Sequence, residues 1–126
     1  MKTVWIVDDD EEMIKAVRLM LKLLGCDVHY HLGARRAAQA LLAGGKPDLM
    51  ILDINMPEVS GLDLLEFLRR RTEWKDMPVI MLSTEAADVT VDRAMALGAD
   101  AYVSKPVTLD ELEKALQTAF QKHGKY

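Results

Sequence analysis

An α/β fold, with one parallel sheet wound on both faces by helices, is predicted by three observations. Short β-rich runs alternate with helical patterns along the whole chain, several of those runs are continuously apolar, and polar residues collect directly after them. Together these describe five strand–helix units, (βα)₅, with short loops.

The strand candidates are residues 3–7, 27–31, 49–52, 79–82 and 101–103. The first, third and fourth are unbroken apolar runs, the pattern of parallel strands covered on both faces. The second and fifth are shorter or more polar, which predicts edge positions. Helical patterns follow each one. Ile14, Val17, Leu21 and Leu24 recur at helical spacing, and Gly25 sits where a C-terminal cap belongs. The second helix, 34–43, runs into Gly44-Gly45, with Pro47 ahead of the third strand. Ser60 and Asp63 form a capping pattern for a helix over 61–71, and the fourth helix, 88–97, ends at Gly98. Thr108 and Glu111 make another capping box, ahead of Leu109, Leu112, Leu116 and Phe120 on one helical face. Right-handed crossovers turn such alternation into a parallel sheet, and five units fit the flavodoxin-like strand order 2-1-3-4-5.

The 126 residues fit one domain, read here as residues 1–126, and a 50% hydrophobic content supplies a core. A formal net charge of −4 and a pI near 5.3 argue against a nucleic-acid surface or an anionic membrane. The run Arg69-Arg70-Arg71 reads as the solvated end of a helix. Cys26 has no partner for an internal disulfide. Asp8, Asp9 and Asp10 interrupt the apolar opening, so no secretory signal is expected, and Lys15, Arg18 and Lys22 break the most apolar helix. The expectation is a cytoplasmic domain that neither crosses a membrane nor binds nucleic acid directly. The eight methionines are read as core filler, and His29 and His31 lie on a strand without a ligand constellation.

Residues just after parallel strands share one edge of the sheet. Asp8 and Asp9 follow the first strand, Asp53 the third, Ser83 and Thr84 the fourth, and Ser104 and Lys105 the fifth. In the order 2-1-3-4-5 the first and third strands are neighbours at the topological switch point, where ligands bind. Each residue has an ordinary structural role available. Asp9 can cap the first helix with Glu12, Asp53 can start a turn before Pro57, and Lys105 can be a surface lysine. Those roles do not account for so many polar groups on one edge, because crowded carboxylates raise one another's pKa without a counter-ion. A hard cation resolves the conflict, and Mg²⁺ is commonly held by one or two carboxylates plus phosphate oxygens. Asp8, Asp9 and Asp53 supply carboxylates, and a backbone carbonyl near Asn55 can join them. Asp53, on a central strand, is then the candidate nucleophile for an aspartyl phosphate, with Lys105 and Ser83 as contacts to phosphoryl oxygens.

At this point the sequence resembles the response-regulator receiver domains of two-component signalling, the chemotaxis regulators among them. The matching stretches are Ile6-Val7-Asp8-Asp9-Asp10, Leu52-Asp53-Ile54-Asn55-Met56-Pro57 followed by Gly61, Ile80-Met81-Leu82-Ser83-Thr84-Glu85, and Gly98-Ala99-Asp100-Ala101-Tyr102-Val103-Ser104-Lys105-Pro106. The resemblance covers all five units in order. It implies Asp53 as phosphoacceptor, Asp8 and Asp9 as the acidic metal pair with Asp9 the more direct ligand, and Asn55 as donor of a carbonyl to Mg²⁺. It implies Ser83 as switch hydroxyl, Tyr102 as the aromatic that moves with it, Lys105 as phosphate sensor, and a cis Lys105–Pro106 bond. The implied partners are a histidine kinase or a histidine phosphotransfer protein, and an output domain or partner on the face of the fourth helix, fifth strand and fifth helix. The chain is expected to be a switch rather than an enzyme, catalysing only its own phosphorylation and dephosphorylation. Three positions depart from the usual pattern: Ser83 where Thr is frequent, Ser60 where Asp is common, and Val107 where Phe is common. None removes a reacting group, although Val107 bears on how the last helix would dock a partner.

Two other functions use related topology or chemistry. A flavin-binding protein needs a hydroxyl- and glycine-rich phosphate loop after the first strand, and this chain has Asp8-Asp9-Asp10-Glu11-Glu12 there. A Mg²⁺-dependent phosphatase commonly places an acid two positions after its aspartyl nucleophile, and here that position is Asn55, which has no carboxylic proton to give. A receiver degenerated to pure binding would lack some of the reacting residues, and all are present.

Overall fold

The structure is a computed structural model, and it describes residues 1–84 and 88–124. Its elements alternate strictly: β1 (Thr3–Asp8), α1 (Glu11–Leu23), β2 (Asp27–Leu32), α2 (Ala34–Leu42), β3 (Leu49–Asp53), α3 (Gly61–Arg69), β4 (Val79–Ser83), α4 (Asp88–Ala96), β5 (Ala101–Ser104) and α5 (Leu109–Lys122). All neighbouring strands pair in parallel, in the order β2-β1-β3-β4-β5. The polar, half-exposed β2 and the four-residue β5 lie at the edges, as their composition predicts. The expected (βα)₅ architecture is the one observed.

Each strand extends one residue beyond its apolar run, so Asp8, Leu32, Asp53, Ser83 and Ser104 are the last residues of their strands rather than the first of the loops. The ladder holds them there, since Ser83 pairs with Ser104, Asp53 with Leu82, and Asp8 with Leu32. Side chains alternate along a strand, and the core divides accordingly. Val4, Ile6, Leu49, Ile51, Ile80, Leu82 and Val103 join α1 and α5 on one face. Trp5, Val7, Met50, Leu52, Val79 and Met81 join α2, α3 and Ala94 of α4 on the other, with Tyr102 packed against them.

The helix ends refine the predicted caps. Asp10 caps α1, its carboxylate accepting from the amides of Glu12 at 3.0 Å and Met13 at 3.4 Å, so Asp9 is left outside the helix. The Ser60–Asp63 box is complete in both directions. At α5 the Thr108 hydroxyl accepts from the Glu111 amide, while the Glu111 carboxylate takes the Thr108 hydroxyl rather than closing the box on the backbone. The α3 helix stops at Arg69, two residues short of the predicted end. There Trp74 and Met77 are buried and Arg71 stacks over Phe67 and Trp74. Leu109 is also 40% exposed and falls outside the core face that Leu112, Leu116 and Phe120 share. The methionines divide: Met50, Met56, Met77 and Met81 are core, but Met1 and Met95 are exposed. No helix among the described residues is long and apolar enough to cross a membrane.

Candidate phosphoacceptor site

Strand alternation places the acids before any side-chain detail is considered. Asp8 lies two residues beyond Ile6, Asp53 two beyond Ile51, and Lys105 two beyond Val103, all in the row that faces α1 and α5. Ser83, two residues beyond Met81, follows the opposite row, which Tyr102 shares. The expected residues therefore reach the pocket from two sides of the sheet.

Oxygen atoms of Asp8, Asp9 and Asp53 all lie within 4.8 Å of one another. Asp8 and Asp53 are buried, at 0% and 1% exposed, whereas Asp9 is open to solvent. The Lys105 ammonium reaches into this group, 3.3 Å from Asp53 Oδ1 and 3.4 Å from Asp8 Oδ2. Among the described residues it is one cation against three carboxylates, so this group is short of positive charge. Burial is the main cause that lifts the Asp8 carboxyl above its usual range. The Asp10 amide, donating to Asp8 Oδ1 at 3.0 Å, draws it back, Asp53 raises it further, and Lys105 opposes that. A hard cation with oxygen preference suits such a group, because three carboxylate oxygens lie within 4.8 Å of one another and exposed Asp9 leaves room for water ligands.

Backbone amides orient the acids. The Asn55 N–H donates to Asp53 Oδ1 at 3.1 Å, and the Ile54 N–H donates to the Leu82 carbonyl at 2.9 Å, tying the turn to β4. Gly61, at the start of α3, is packed against the same turn: a Cβ there would lie 2.2 Å from the Asp53 carbonyl oxygen. Only a residue without a side chain lets α3 approach so closely. On the far side, the Lys105 N–H donates to the Ser83 carbonyl at 2.8 Å, and the Lys105–Pro106 peptide is cis, as the resemblance implied.

Asp8, Asp9, Asp53, Asn55, Ser83 and Lys105 lie at the carboxyl edge, whereas Tyr102 lies inside β5, paired with Met81 and packed against the core, and Glu85 of the fourth stretch falls outside the described residues. One contact was not legible in the sequence. The Ser83 hydroxyl, fully buried, donates to the side-chain carbonyl of Asn55 at 2.7 Å. The motif gave Asn55 a backbone role only. The signal that could have found the contact is the 2-1-3-4-5 order itself, which makes β3 and β4 neighbours and sets Asn55 beside Ser83.

A family profile described as the response regulator receiver domain matches residues 4–117. Chemotaxis protein CheY-3 of Vibrio cholerae is 32% identical over 117 residues, which cover 93% of this chain and 90% of that protein. The KDP operon transcriptional regulatory protein KdpE of Escherichia coli is 35% identical over 126 residues, covering 98% of this chain and 53% of the relative. The chain spans about half the length of KdpE and 18% of Protein RcaC of Microchaete diplosiphon. Among solved structures, Vibrio cholerae chemotaxis protein CheY4 superimposes with a TM-score of 0.85 at 30% identity, covering 94% of this chain and 98% of that one.

Proposed function

This chain belongs to the response regulator receiver family of two-component signalling, whose members act as switches and interact with histidine kinases and output domains, and from that premise we propose that Asp53 is its phosphoacceptor. The observation that carries the reading is the acid cluster at the switch point of the sheet, with the Lys105 ammonium 3.3 Å from Asp53. The whole of residues 1–126 is assigned to this one domain.

Asp8, Asp9, Asp53 and the Asn55 carbonyl would hold Mg²⁺. When bound, the metal screens the carboxylates from an incoming phosphoryl group. An oxygen of Asp53 attacks the phosphorus of a phosphohistidine on a kinase or phosphotransfer protein. The P–N bond breaks, and the electron pair leaves with the imidazole. The Asn55 amide holds one Asp53 oxygen, and Lys105, already between the two buried acids, is positioned to contact a phosphoryl oxygen. Beyond its own phosphorylation and dephosphorylation the domain turns over no substrate.

Ser83 then donates to the phosphoryl group and Tyr102 turns into the space it leaves, shifting the face of α4, β5 and α5 that meets the output partner. Val89 and Met95 of α4, 79% and 38% exposed, supply apolar surface for that contact. Neither a membrane nor nucleic acid is a partner of this domain in the proposed scheme, and its compartment is the cytoplasm.

The test is intact-mass spectrometry with Mg²⁺ and acetyl phosphate. Wild type is expected to gain one phosphoryl group and Asp53→Asn none; equal labelling of the variant would remove Asp53 from the mechanism. A Mg²⁺ titration followed by NMR separates the metal ligands. Asp9→Ala should lose binding more completely than Asn55→Ala, which keeps its backbone carbonyl, and equal losses would overturn the carbonyl assignment.

A further inference from the structure

Asn55 offers the Ser83 hydroxyl an acceptor that competes with the one at Asp53. We infer that the Asn55 side chain is a positioning residue that helps hold Ser83 in the resting state, so that Ser83 must give up this bond before it can serve a phosphoryl group. The inference rests on the proposed phosphorylation of Asp53 and deepens it.

The Ser83 hydroxyl carries one proton, and in this structure that proton is directed at Asn55 Oδ1 across 2.7 Å. A single O–H cannot be fully donated to two acceptors, so the bond to Asn55 and a bond to a phosphoryl oxygen exclude each other. Two backbone bonds fix the frame in which this competition occurs. The Asn55 amide is anchored to Asp53 Oδ1 at 3.1 Å, and the Ser83 carbonyl is anchored by the Lys105 amide at 2.8 Å. With both backbones held, redirecting the O–H from one acceptor to the other is a rotation of the Ser83 side chain, and the proton stays on Oγ throughout.

The direction of the bias follows from the rows of the sheet. Ser83 continues the row of Met81, which pairs with Tyr102 across β4 and β5, while Asp53 continues the row of Ile51 on the other face. Asn55, two residues past Asp53, reaches back to the Ser83 side and meets the hydroxyl there. It is one of the groups that hold Ser83. Its backbone and side chain thus act in opposite senses: the amide and carbonyl serve the phosphoacceptor, and the carboxamide restrains the residue that responds to it. A metal that draws in the Asn55 carbonyl would move the same residue that holds Ser83, which links metal occupancy to the switch.

The test compares backbone and Tyr102 ring NMR spectra of the metal-free wild type, the Mg²⁺–beryllofluoride wild type, and metal-free Asn55→Leu, which keeps the shape of Asn without an acceptor. The Asn55→Leu resonances of Tyr102 and Val103 are expected to move along the line joining the two wild-type spectra. The ratio of switched to resting forms should rise about 3- to 10-fold, the scale of one neutral hydrogen bond. Asn55→Asp, which restores an acceptor, should return them to the resting position. A folded Asn55→Leu whose Tyr102 shifts coincide with resting wild type overturns the inference, as does an Asn55→Asp that moves as far as Asn55→Leu. A wild type that does not respond to beryllofluoride overturns the phosphoacceptor reading itself, and the competition with it.

Discussion

Asp100 and Asp53 are buried at opposite edges of one sheet, 7% and 1% exposed, and their surroundings are built differently. Asp100 precedes β5 at the amino edge. Its Oδ2 accepts from the Val79 amide at 2.8 Å and from Arg69 Nη2 at 3.2 Å, and its Oδ1 lies 2.9 Å from His123 Nε2. Its backbone carbonyl accepts from Lys122 at 2.9 Å, and Arg69 further donates to the carbonyls of Gly98 and Trp74. The burden of burial there falls on Arg69, whose guanidinium is lowered by desolvation and supported by Asp100 and Asp76. At the carboxyl edge three carboxylates cluster, and the Lys105 ammonium contacts two of them, Asp8 and Asp53. The difference teaches how to tell two kinds of buried acid apart. One is matched by partners from several elements; the other sits in an acidic cluster that could hold a metal ion.

The largest test of this contrast is Asp100→Ala. Removing the acid strands buried Arg69 and the Val79 amide, and the expected loss is about 3–5 kcal/mol of unfolding free energy in urea. The fraction that remains folded should still take up a phosphoryl group, so a folded variant unable to do so would tie the two edges together.

A smaller effect of opposite sign is expected from Asp8→Asn in the metal-free protein. Because Asp8 holds its proton more tightly folded than unfolded, ionising it costs folding stability. That cost is absent below the usual carboxylate range and grows as pH rises from there through the raised pKa of the folded protein. The substitution should therefore raise stability at pH 7 by about 0.5–2 kcal/mol. The gain should vanish near pH ~3, where unfolded carboxylates are protonated. Thermal melts at the two pH values check it; a gain at both would mean that charge is not the cause.

The smallest change is expected from Lys122→Ala, which removes one bond to the Asp100 backbone and leaves the carboxylate matched. About 0.5–1 kcal/mol should be lost. A loss as large as that of Asp100→Ala would show the carbonyl, not the carboxylate, to be the centre of the network.

The legibility of these two regions also differs. The acid cluster was readable because strand order brings residues at successive strand ends to one edge, so Asp8, Asp9, Asp53 and Lys105 could be assembled from apolar runs alone. The Asp100 network gives no such signal. Asp100 meets Arg69, 31 residues before it, and His123, 23 residues after it, through helix ends whose placement depends on packing. Single-residue choices escaped for a related reason. In the run Asp8-Asp9-Asp10 all three side chains are alike, and only the turn geometry decides that Asp10 caps α1 while Asp9 joins the cluster. The Ser83–Asn55 bond needed the facing of two side chains across neighbouring strands, which periodicity does not specify.

The contact between Lys105 and Asp8 joins residues 97 positions apart, so the two charges are made at well-separated times during synthesis. All three acids lie within residues 8–53, Asp8 and Asp53 at the ends of the neighbouring strands β1 and β3 and Asp9 directly after β1. Their ammonium belongs to the turn after β5, so it leaves the ribosome only after all five strands. Until then the growing amino-terminal half carries its acids without their internal cation, and closing β1 against β3 would bring like charges together. The β1–β3 pair therefore has its internal counter-charge only once the turn after β5 is in place, and a divalent ion from solution is the other source of positive charge there.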